Sequence, residues 1–427
     1  MVREFLIMLT HTDSFYLYID PATGSMLFSV LVGVFITAGF FLRLFLIKIK
    51  TVLGGKAALQ QAKDYNRFLL YSDDKRYWNS FEPILDEFEK RKIDVAFWTS
   101  SEDDPVFSKE YKHVHPEFIG KGNKSFVKLN AARADVLLST TPGLDVLQWK
   151  RSRGVKKYVL FFHTVGTALL YRMFQLDFYD VILSTSDFIA EEIRTLEKVR
   201  NLPAKEISVV GTPYFDVLSR KIRNAVKPSN SNKVILLAPT WGPESFLYKI
   251  GDELIQSLID TGYDIVFRPH PQSFTADKDI LDSIRERFDG CSNFSWNTDN
   301  DNFDILNKAD LLISDFSGVI FDFTLLFNKP IMYTTVEGFD DSVFDYAWVK
   351  GNLWIFDVLP SLGCEITEES LKDIKTRIDE TISSAKYKQG INEARDYAWK
   401  CQGCAAEKIV DYVVKLQSGL AETPEKK

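Results

Sequence analysis

Short apolar runs of β-type residues alternate with amphipathic stretches along most of the chain. Phe68–Tyr71 and Val95–Trp98 are such runs, and the stretch between them, Trp78–Lys90, has apolar positions at helical spacing. This strand, helix, strand order is typical of a parallel sheet covered by helices. The first domain is predicted to continue with strands at Val136–Leu138, Tyr158–Phe162, Val181–Leu183 and Ile207–Val210 and with a helix at Ala190–Val199.

A polar stretch at Asn224–Asn232 has turn-forming residues and no apolar period, so a domain junction is predicted there. A second series then begins. Its predicted strands are Val234–Leu237, Ile265–Phe267, Leu311–Ile313 and Ile331–Tyr333, and its predicted helices are Asp252–Asp260, Asp279–Phe288, Gly318–Phe327 and, with breaks, Glu368–Val414. The predicted fold class is α/β, with doubly wound domains at residues 56–225 and 233–417 and a polar tail at 418–427.

The amino-terminal region contains a long apolar run. No charged residue occurs from Met26 to Leu42, and the run resumes after Arg43. About 20 such residues can cross a bilayer, so one transmembrane helix is predicted at residues 26–47. Basic residues follow the run, which places residues 1–25 on the non-cytoplasmic side of a cell membrane and the catalytic body in the cytoplasm. A cleaved signal peptide and a buried soluble helix are the alternatives.

Composition narrows the class of protein. An apolar content of 45% supports folded cores, and a net charge of -7 with dispersed Lys and Arg argues against a nucleic-acid-binding protein. Four cysteines are too few for a disulfide framework, which favours a reducing compartment. Cys401 and Cys404 have the spacing of a zinc or redox pair, but two further ligands are missing, so they are interpreted as ordinary cysteines of a helical segment.

Several predicted strands end in polar residues that can bind an anion. Because ligands of open α/β sheets bind beyond the carboxyl ends of the strands, these residues predict a crevice for a phosphate-bearing substrate. The candidate residues are His163, Thr240, Trp241, Arg268, His270, Ser314, Asp315, Ser317 and Gly318.

In the second domain, the segment 314–318 follows a buried strand and begins a helical pattern, where free backbone N–H groups suit a phosphate. Ser314 and Ser317 add hydroxyl groups, Gly318 allows close approach, and Asp315 is expected to cap the helix. An ordinary capped turn is the alternative.

Two prolines flank His270 and stiffen the backbone that carries it and Arg268, so both are expected to contact phosphate. An ion-paired structural Arg is the alternative. His163 is the candidate general base, although a His at a strand end is often a packing residue. Thr240 and Trp241 are expected to offer a hydroxyl group and a stacking face to a nucleotide base, unless Trp241 is simply buried.

A polar stretch at 299–301 resembles the metal-binding Asp-x-Asp of another transferase architecture. It lies in an Asn- and Asp-rich loop, however, and Asn and Asp readily populate turns, so it is interpreted as a solvated turn.

Together these motifs resemble the CDP-glycerol glycerophosphotransferase family of teichoic-acid-type polymerases and primases. The segments that carry the resemblance are 238–241, 268–271, 314–318 with Asp322, and 211–213 with Asp216. The resemblance implies a GT-B fold with two Rossmann-like domains around a cleft, CDP-glycerol held mainly by the second domain, and neither a cofactor nor an obligatory metal.

The family's residue roles are carried over by motif. They imply that His163 is the catalytic base and that Arg268 and His270 contact the donor phosphates, with His270 as a second catalytic residue. The residues expected at the donor pyrophosphate and glycerol are Ser314, Asp315, Ser317 and Gly318, and Asp322 is expected to bind substrate as well. Two departures occur: the usual His-Gly-Thr is His-Thr-Val-Gly-Thr from His163 onward, and the usual Ser-Ser is Ser-Gly at 317–318.

The resulting hypothesis is transfer of glycerol phosphate from CDP-glycerol to a hydroxyl of a membrane-bound, lipid-linked acceptor, a glycan or a polyol phosphate, with release of CMP. A GT-B glycosyltransferase that uses a nucleotide sugar and a non-catalytic membrane-attached binding protein are the alternatives.

Overall fold

The computed structural model describes residues 65–226, 230–299, 301–315, 317–334 and 342–422. All of them belong to one compact unit, Ala62–Lys427. None of the described helices is long and apolar enough to cross a membrane. The predicted transmembrane helix at residues 26–47 lies outside the described residues.

The first half of this unit forms a sheet of seven strands with the spatial order β3-β2-β1-β4-β5-β6-β7. Every neighbouring pair is parallel. The strands are β1 (Asn66–Ser72), β2 (Val95–Thr99), β3 (Val114–Phe118), β4 (Arg133–Ser139), β5 (Gly154–Phe161), β6 (Val181–Ser184) and β7 (Glu206–Val209). The helices of this half are α1 (Trp78–Arg91), α2 (Asn123–Leu129), α3 (Asp187–Val199) and α4 (Pro213–Asn224).

The second half forms a sheet of six parallel strands with the order β10-β9-β8-β11-β12-β13. The strands are β8 (Val234–Leu237), β9 (Asp264–Phe267), β10 (Phe294–Trp296), β11 (Leu311–Ser314), β12 (Ile331–Thr334) and β13 (Gly363–Ile366). The fold is therefore two Rossmann-like parallel-sheet domains, which confirms the predicted α/β class.

The described helices of the second half range from 3 to 18 residues in length. They are α5 (Gly251–Asp260), α6 (Ser273–Ala276), α7 (Lys278–Phe288), α8 (Phe303–Lys308), α9 (Val319–Phe321), α10 (Tyr346–Val349), α11 (Trp354–Asp357), α12 (Leu359–Leu362), α13 (Ile374–Ser383), α14 (Ala385–Ala398) and α15 (Ala405–Glu422). Helix α9 continues directly as a π-helix, Asp322–Leu326.

Apolar residues of both halves form one continuous cluster. It contains strand residues of the first sheet, such as Leu137, and of the second sheet, such as Leu312. Trp354 joins the two halves within it, because its ring lies 4.8 Å from that of Phe188 and 5.5 Å from that of Phe321. This shared core fixes the two sheets relative to each other through non-directional apolar contact.

The last helix, α15, returns to the first half of the unit. Ile409 and Val413 are buried among residues of β1 and α1. The turn before it is anchored by Asp216 of α4, whose carboxylate accepts hydrogen bonds from the backbone N–H groups of Gly403 (2.7 Å) and Ala405 (2.9 Å). The second predicted domain extends to residue 417, so this part of it packs on the first sheet.

Cys401 and Cys404 lie in this turn and not within a helix, which corrects the predicted helical position. Cys401 has a left-handed backbone with φ 53 and therefore interrupts any helix. Both thiols face backbone carbonyls, those of Val209 and Cys401 itself.

Candidate active site

Each sheet has a switch point, where the strand order reverses and the connections leave toward opposite faces. In the first sheet this point lies between β1 and β4, and in the second between β8 and β11. The crevice beyond the carboxyl ends of such strands is the usual ligand site of doubly wound sheets. The candidate residues follow these strands or their immediate neighbours.

His163 comes two residues after β5, which lies beside β4. Its Nδ1 is 2.8 Å from the hydroxyl of Thr140, which follows β4 and is buried. Its backbone carbonyl accepts a hydrogen bond of 3.1 Å from the hydroxyl of Thr212. No described residue forms a hydrogen bond with its Nε2, so that nitrogen is the one left for a substrate.

The His163 ring is neutral at physiological pH. Burial, and secondarily the positive charge of Arg76, lower the pKa of His163 from 6.5 to about 4. A neutral imidazole can accept a proton, which a base must do. Its low pKa makes it a weak base, which can take a proton from a hydroxyl that becomes more acidic as its oxygen forms a new bond.

The loop after β1 completes the first-domain site, although no sequence argument singled it out. The ring of Tyr77 lies 4.6 Å from that of His163, and the Arg76 guanidinium lies 5.0 Å above the Tyr77 ring. Asp73 of the same loop has a pKa raised chiefly by burial, and it faces the hydroxyl of Thr141 after β4. These residues lie in the loops after β1 and β4. The strand-end rule, that ligands bind beyond the carboxyl ends of parallel strands, led to His163 after β5 and would have led to these residues as well.

The loop that carries His163 is held from behind by Glu192 of α3. The Glu192 carboxylate accepts hydrogen bonds from the hydroxyl of Thr167 (2.7 Å) and from the backbone N–H of Ala168 (2.8 Å). Burial raises the pKa of Glu192 to about 7, while these two hydrogen bonds oppose the increase.

In the second domain, Ser314 and Asp315 tie the ends of β11 and β8 together. The Ser314 hydroxyl is fully buried and donates a hydrogen bond of 2.6 Å to the carbonyl of Ala238. The Asp315 carboxylate accepts the backbone N–H of Thr240 at 3.0 and 3.1 Å. This differs from the predicted substrate contact of Ser314, because its buried hydroxyl turns toward the neighbouring strand, as the Asp315 carboxylate also does.

Arg268 and His270 follow β9 beside this junction. Arg268 donates a hydrogen bond to the side chain of Asn297, and Asp299 and Asp301 lie near enough to favour its charge. His270 accepts the backbone N–H of Gln272 at Nδ1 (3.1 Å), which directs the proton of the neutral ring to Nε2. Burial lowers the pKa of His270.

The Trp241 side chain stacks on His270, with ring centres 6.3 Å apart and an angle of 29°. Trp241 is 47% exposed, so it is not the buried core Trp of the alternative interpretation. Its exposed face is available for stacking on a planar group. Asp277 fixes this loop, because its carboxylate accepts the backbone N–H of Gly242 and the hydroxyl of Tyr248.

Ser317 and Gly318 begin the helical segment after β11, and Gly318 is exposed. Asp322, in the π-helix that follows, is only 9% exposed, and one of its carboxylate oxygens has no hydrogen-bond partner among the described residues. Burial raises the pKa of Asp322 to about 7. The hydroxyl of Tyr214 in α4 reaches its other oxygen at 3.3 Å.

The start of α4 connects the two groups of candidate residues. Thr212 contacts the backbone of His163, and Tyr214 contacts Asp322. Further along α4, Lys221 pairs with Asp301 at 3.0 Å. No hydrogen bond, ion pair or ring contact of the described residues joins His163 to Arg268 or His270, and the two groups follow strands of separate sheets.

The Asp299 and Asp301 side chains do more than fill a solvated turn. Asp301 accepts the backbone N–H of Phe303 (2.9 Å), the first residue of α8, and Asp299 accepts a hydrogen bond from Asn297 (2.7 Å). Among the described ranges no group of His, Cys, Asp and Glu could hold a metal ion.

The sequence from residue 56 to 415 matches the family described as CDP-glycerol:poly(glycerophosphate) glycerophosphotransferase. A curated relative, the teichoic acid glycerol-phosphate primase of Bacillus subtilis (strain 168), is 26% identical over 208 residues, which are 46% of this chain and 49% of that protein. The match thus spans about half the length of that relative.

Solved structures share the two-domain fold. The wall teichoic acid polymerase TagF, soaked with CDPG, superposes with a TM-score of 0.54 at 17% identity, covering 92% of this chain and 99% of that one. MnaA of S. aureus with UDP has a TM-score of 0.56 at 13% identity and covers 84% and 99%. At these identities the likeness establishes the fold alone.

Proposed function

Because the chain belongs to the CDP-glycerol:poly(glycerophosphate) glycerophosphotransferase family, we propose that it transfers glycerol phosphate from CDP-glycerol to a hydroxyl of a membrane-linked acceptor and releases CMP. The observation that carries this proposal is the position of His163. It is a neutral imidazole after β5, next to the first switch point, and the segment from Thr212 to Tyr214 at the start of α4 links it to Asp322 beside the donor loops of the second domain.

The transfer is an in-line displacement at phosphorus. The acceptor oxygen attacks the phosphorus that carries glycerol, and a new P–O bond forms while the bond from that phosphorus to the bridging oxygen breaks. The electron pair of the broken bond leaves with CMP. His163 Nε2 takes the proton of the acceptor hydroxyl and passes it to water.

The second domain is proposed to hold the donor. Arg268 and the Nε2–H of His270 are placed to stabilise the phosphates, and Trp241 offers its exposed face to the cytosine. Ser317 and Gly318 are proposed to contact the pyrophosphate. Ser314 and Asp315 shape this site indirectly, because they position the backbone of Ala238 and Thr240.

The membrane attachment belongs to the same proposal. A transmembrane helix at residues 26–47 would keep the body at the cytoplasmic surface, where a lipid-linked acceptor is presented. Its support is the uncharged run from Met26 to Leu42 and the basic residues after it.

A donor panel tests the transfer. Purified full-length protein is incubated with native membrane lipid extract and, in turn, CDP-glycerol, UDP-sugars and GDP-sugars, and the released nucleotide is measured. We expect CMP from CDP-glycerol alone, and its loss in a folded His163→Ala variant. Release of nucleotide only from sugar donors would assign the chain to the glycosyltransferases, and donor binding without turnover would favour a binding protein.

A further inference from the structure

Arg76 is an exposed arginine next to the candidate base, and the proposed chemistry gives it no role. It forms no ion pair with any described residue, whereas its neighbour Lys75 is paired with Asp103. Its backbone is fixed, because the carboxylate of Asp74 accepts its N–H at 2.9 Å. An unpaired guanidinium on a fixed backbone is suited to bind an anion from solution.

The position of the Arg76 side chain is also defined. Its guanidinium lies 5.0 Å above the ring of Tyr77, which is itself 4.6 Å from the ring of His163. Tyr77 thus holds the cation beside the base through a cation–π contact. Its charge reaches the imidazole, since it contributes to the low pKa of His163.

These contacts limit the distance between the two groups. The two ring-to-group distances place the guanidinium no more than about 10 Å from the His163 ring. One glycerol phosphate unit, with hydrogen bonds at both ends, covers a comparable span from its phosphate to its terminal hydroxyl. An acceptor whose hydroxyl meets His163 Nε2 can therefore place the preceding phosphate at Arg76.

We propose that Arg76 is the residue that selects the acceptor, by binding the phosphodiester that precedes the nucleophilic hydroxyl of a poly(glycerophosphate) chain, the acceptor that the family description names. This inference rests on the proposed function and assigns a residue to its acceptor. The donor phosphates are assigned to Arg268 and His270 of the other domain, which leaves Arg76 to the acceptor. Specificity arises because a neutral acceptor leaves the cation without a partner.

A matched pair of soluble acceptors tests the inference. One is a short alkyl ester of glycerol phosphate, and the other is its neutral methyl phosphotriester. CMP release is measured against acceptor concentration at saturating CDP-glycerol. We expect wild-type protein to prefer the charged acceptor at least tenfold in KM, Arg76→Ala to lose that preference, and Arg76→Lys to restore part of it, each with the KM for CDP-glycerol unchanged.

Arg153 supplies the control. It is exposed, forms no ion pair with any described residue, and immediately precedes β5, at the opposite end of that strand from His163. Arg153→Ala should retain the wild-type preference. The inference is overturned if Arg76→Ala behaves like Arg153→Ala, or if it raises the KM for CDP-glycerol instead of that for the acceptor.

Calorimetric titration without donor separates this inference from the transfer reaction. The charged acceptor should bind wild-type protein at least tenfold more tightly than the neutral one, and Arg76→Ala should abolish the difference. If wild type releases no CMP but shows this difference, the proposed reaction fails and the phosphate site stands. If it releases CMP and binds both acceptors equally, the site fails and the reaction stands.

Discussion

At the residue scale, the strand-end rule located polar side chains but not the direction in which they point. Ser314 ends β11 and Asp315 follows it, yet both side chains turn toward Ala238 and Thr240, which come after the neighbouring strand β8. Trp241 turns outward to His270. Whether a side chain turns inward or outward depends on which backbone groups of the adjacent strand lack a hydrogen-bond partner. Those groups are set by the register of β8 with β11, which cannot be read from the sequence of either strand alone.

Thr140 is a positioning residue for His163. Its hydroxyl holds Nδ1 at 2.8 Å, so Thr140→Val leaves the ring without an orienting partner. General base catalysis contributes about 100- to 10,000-fold, and we expect loss of orientation to lower kcat about tenfold to a hundredfold. The KM for CDP-glycerol should not change. Steady-state CMP release tests this, and Thr140→Ser should recover most of kcat; an unchanged kcat in Thr140→Val would contradict it.

Glu192 should make stability depend on pH. Its folded-state pKa of about 7 lies above its ordinary value of 4.5, so the folded protein holds the proton more tightly than the unfolded chain. The resulting stabilisation is complete below about pH 4.5 and is lost as pH rises through about 7. Glu192→Gln removes this titration. The wild type should therefore lose up to about 3 kcal/mol relative to the variant between pH 4.5 and 8.

Urea unfolding of both proteins at several pH values measures this difference. Tyr397 of α14 is a titratable neighbour of Glu192. The charges of Glu191, Glu192 and Asp187, all in α3, help to raise the pKa of the Tyr397 hydroxyl. Tyr397→Phe therefore serves as the control and should leave the wild-type pH dependence in place. Parallel curves for wild type and Glu192→Gln would show that Glu192 ionises normally.

At the element scale, the sequence revealed the central strands and missed three edge strands. Central strands such as β8 and β11 are buried throughout and appear as apolar runs. β3, β10 and β13 each lie at the edge of a sheet. β3 has four exposed residues and contains a proline, and β10 has three residues, so neither has an apolar run that a pattern can detect.

Gly211, two residues before α4, packs against the turn before α15. Its φ is +82, and a Cβ there would lie 2.4 Å from the carbonyl oxygen of Lys400. Gly211→Ala should therefore lower the free energy of unfolding by about 2–4 kcal/mol, because both the left-handed backbone and the clash oppose a side chain. Urea denaturation measures it.

Gly262 offers a matched control for that substitution. Its φ is +76, but a Cβ would meet no atom within 4 Å. Gly262→Ala should thus lose only the backbone contribution, about 1 kcal/mol. Equal losses in the two variants would mean that the turn moves away from Gly211 without penalty.

At the scale of the whole molecule, the contacts between the two halves were beyond the sequence patterns. An amphipathic helix such as α15 shows that one face is buried, but not against which sheet. The loop at 171–177 forms a short antiparallel contact with the segment at 342–345, through the pair Arg172 and Phe344. The two residues of such a pair are far apart in sequence. The loops that contain them have no helical or strand periodicity from which the contact could be predicted.

Arg200 is the charged centre of this junction. It pairs with Asp177 of the first half and with Asp345 of the second, the latter at 2.5 Å, and the three side chains are 5%, 7% and 0% exposed. Arg200→Ala leaves two buried carboxylates without their cation. Removing one partner of a buried ion pair typically lowers stability by about 3–5 kcal/mol, which urea unfolding at pH 8 should show.

The loss should shrink in acid. Burial already raises the pKa of Asp177 and of Asp345, and removing Arg200 raises both pKa values further. The folded variant then binds protons that the unfolded chain releases, so its stability falls as pH rises, and its deficit should be smaller at pH 5 than at pH 8.

Arg151→Ala is the control, because its pair with Asp180 is partly exposed and lies within the first half. It should lose about 1 kcal/mol or less with little dependence on pH, and an Arg200→Ala deficit equally independent of pH would mean that water, and not a buried proton, replaces the guanidinium.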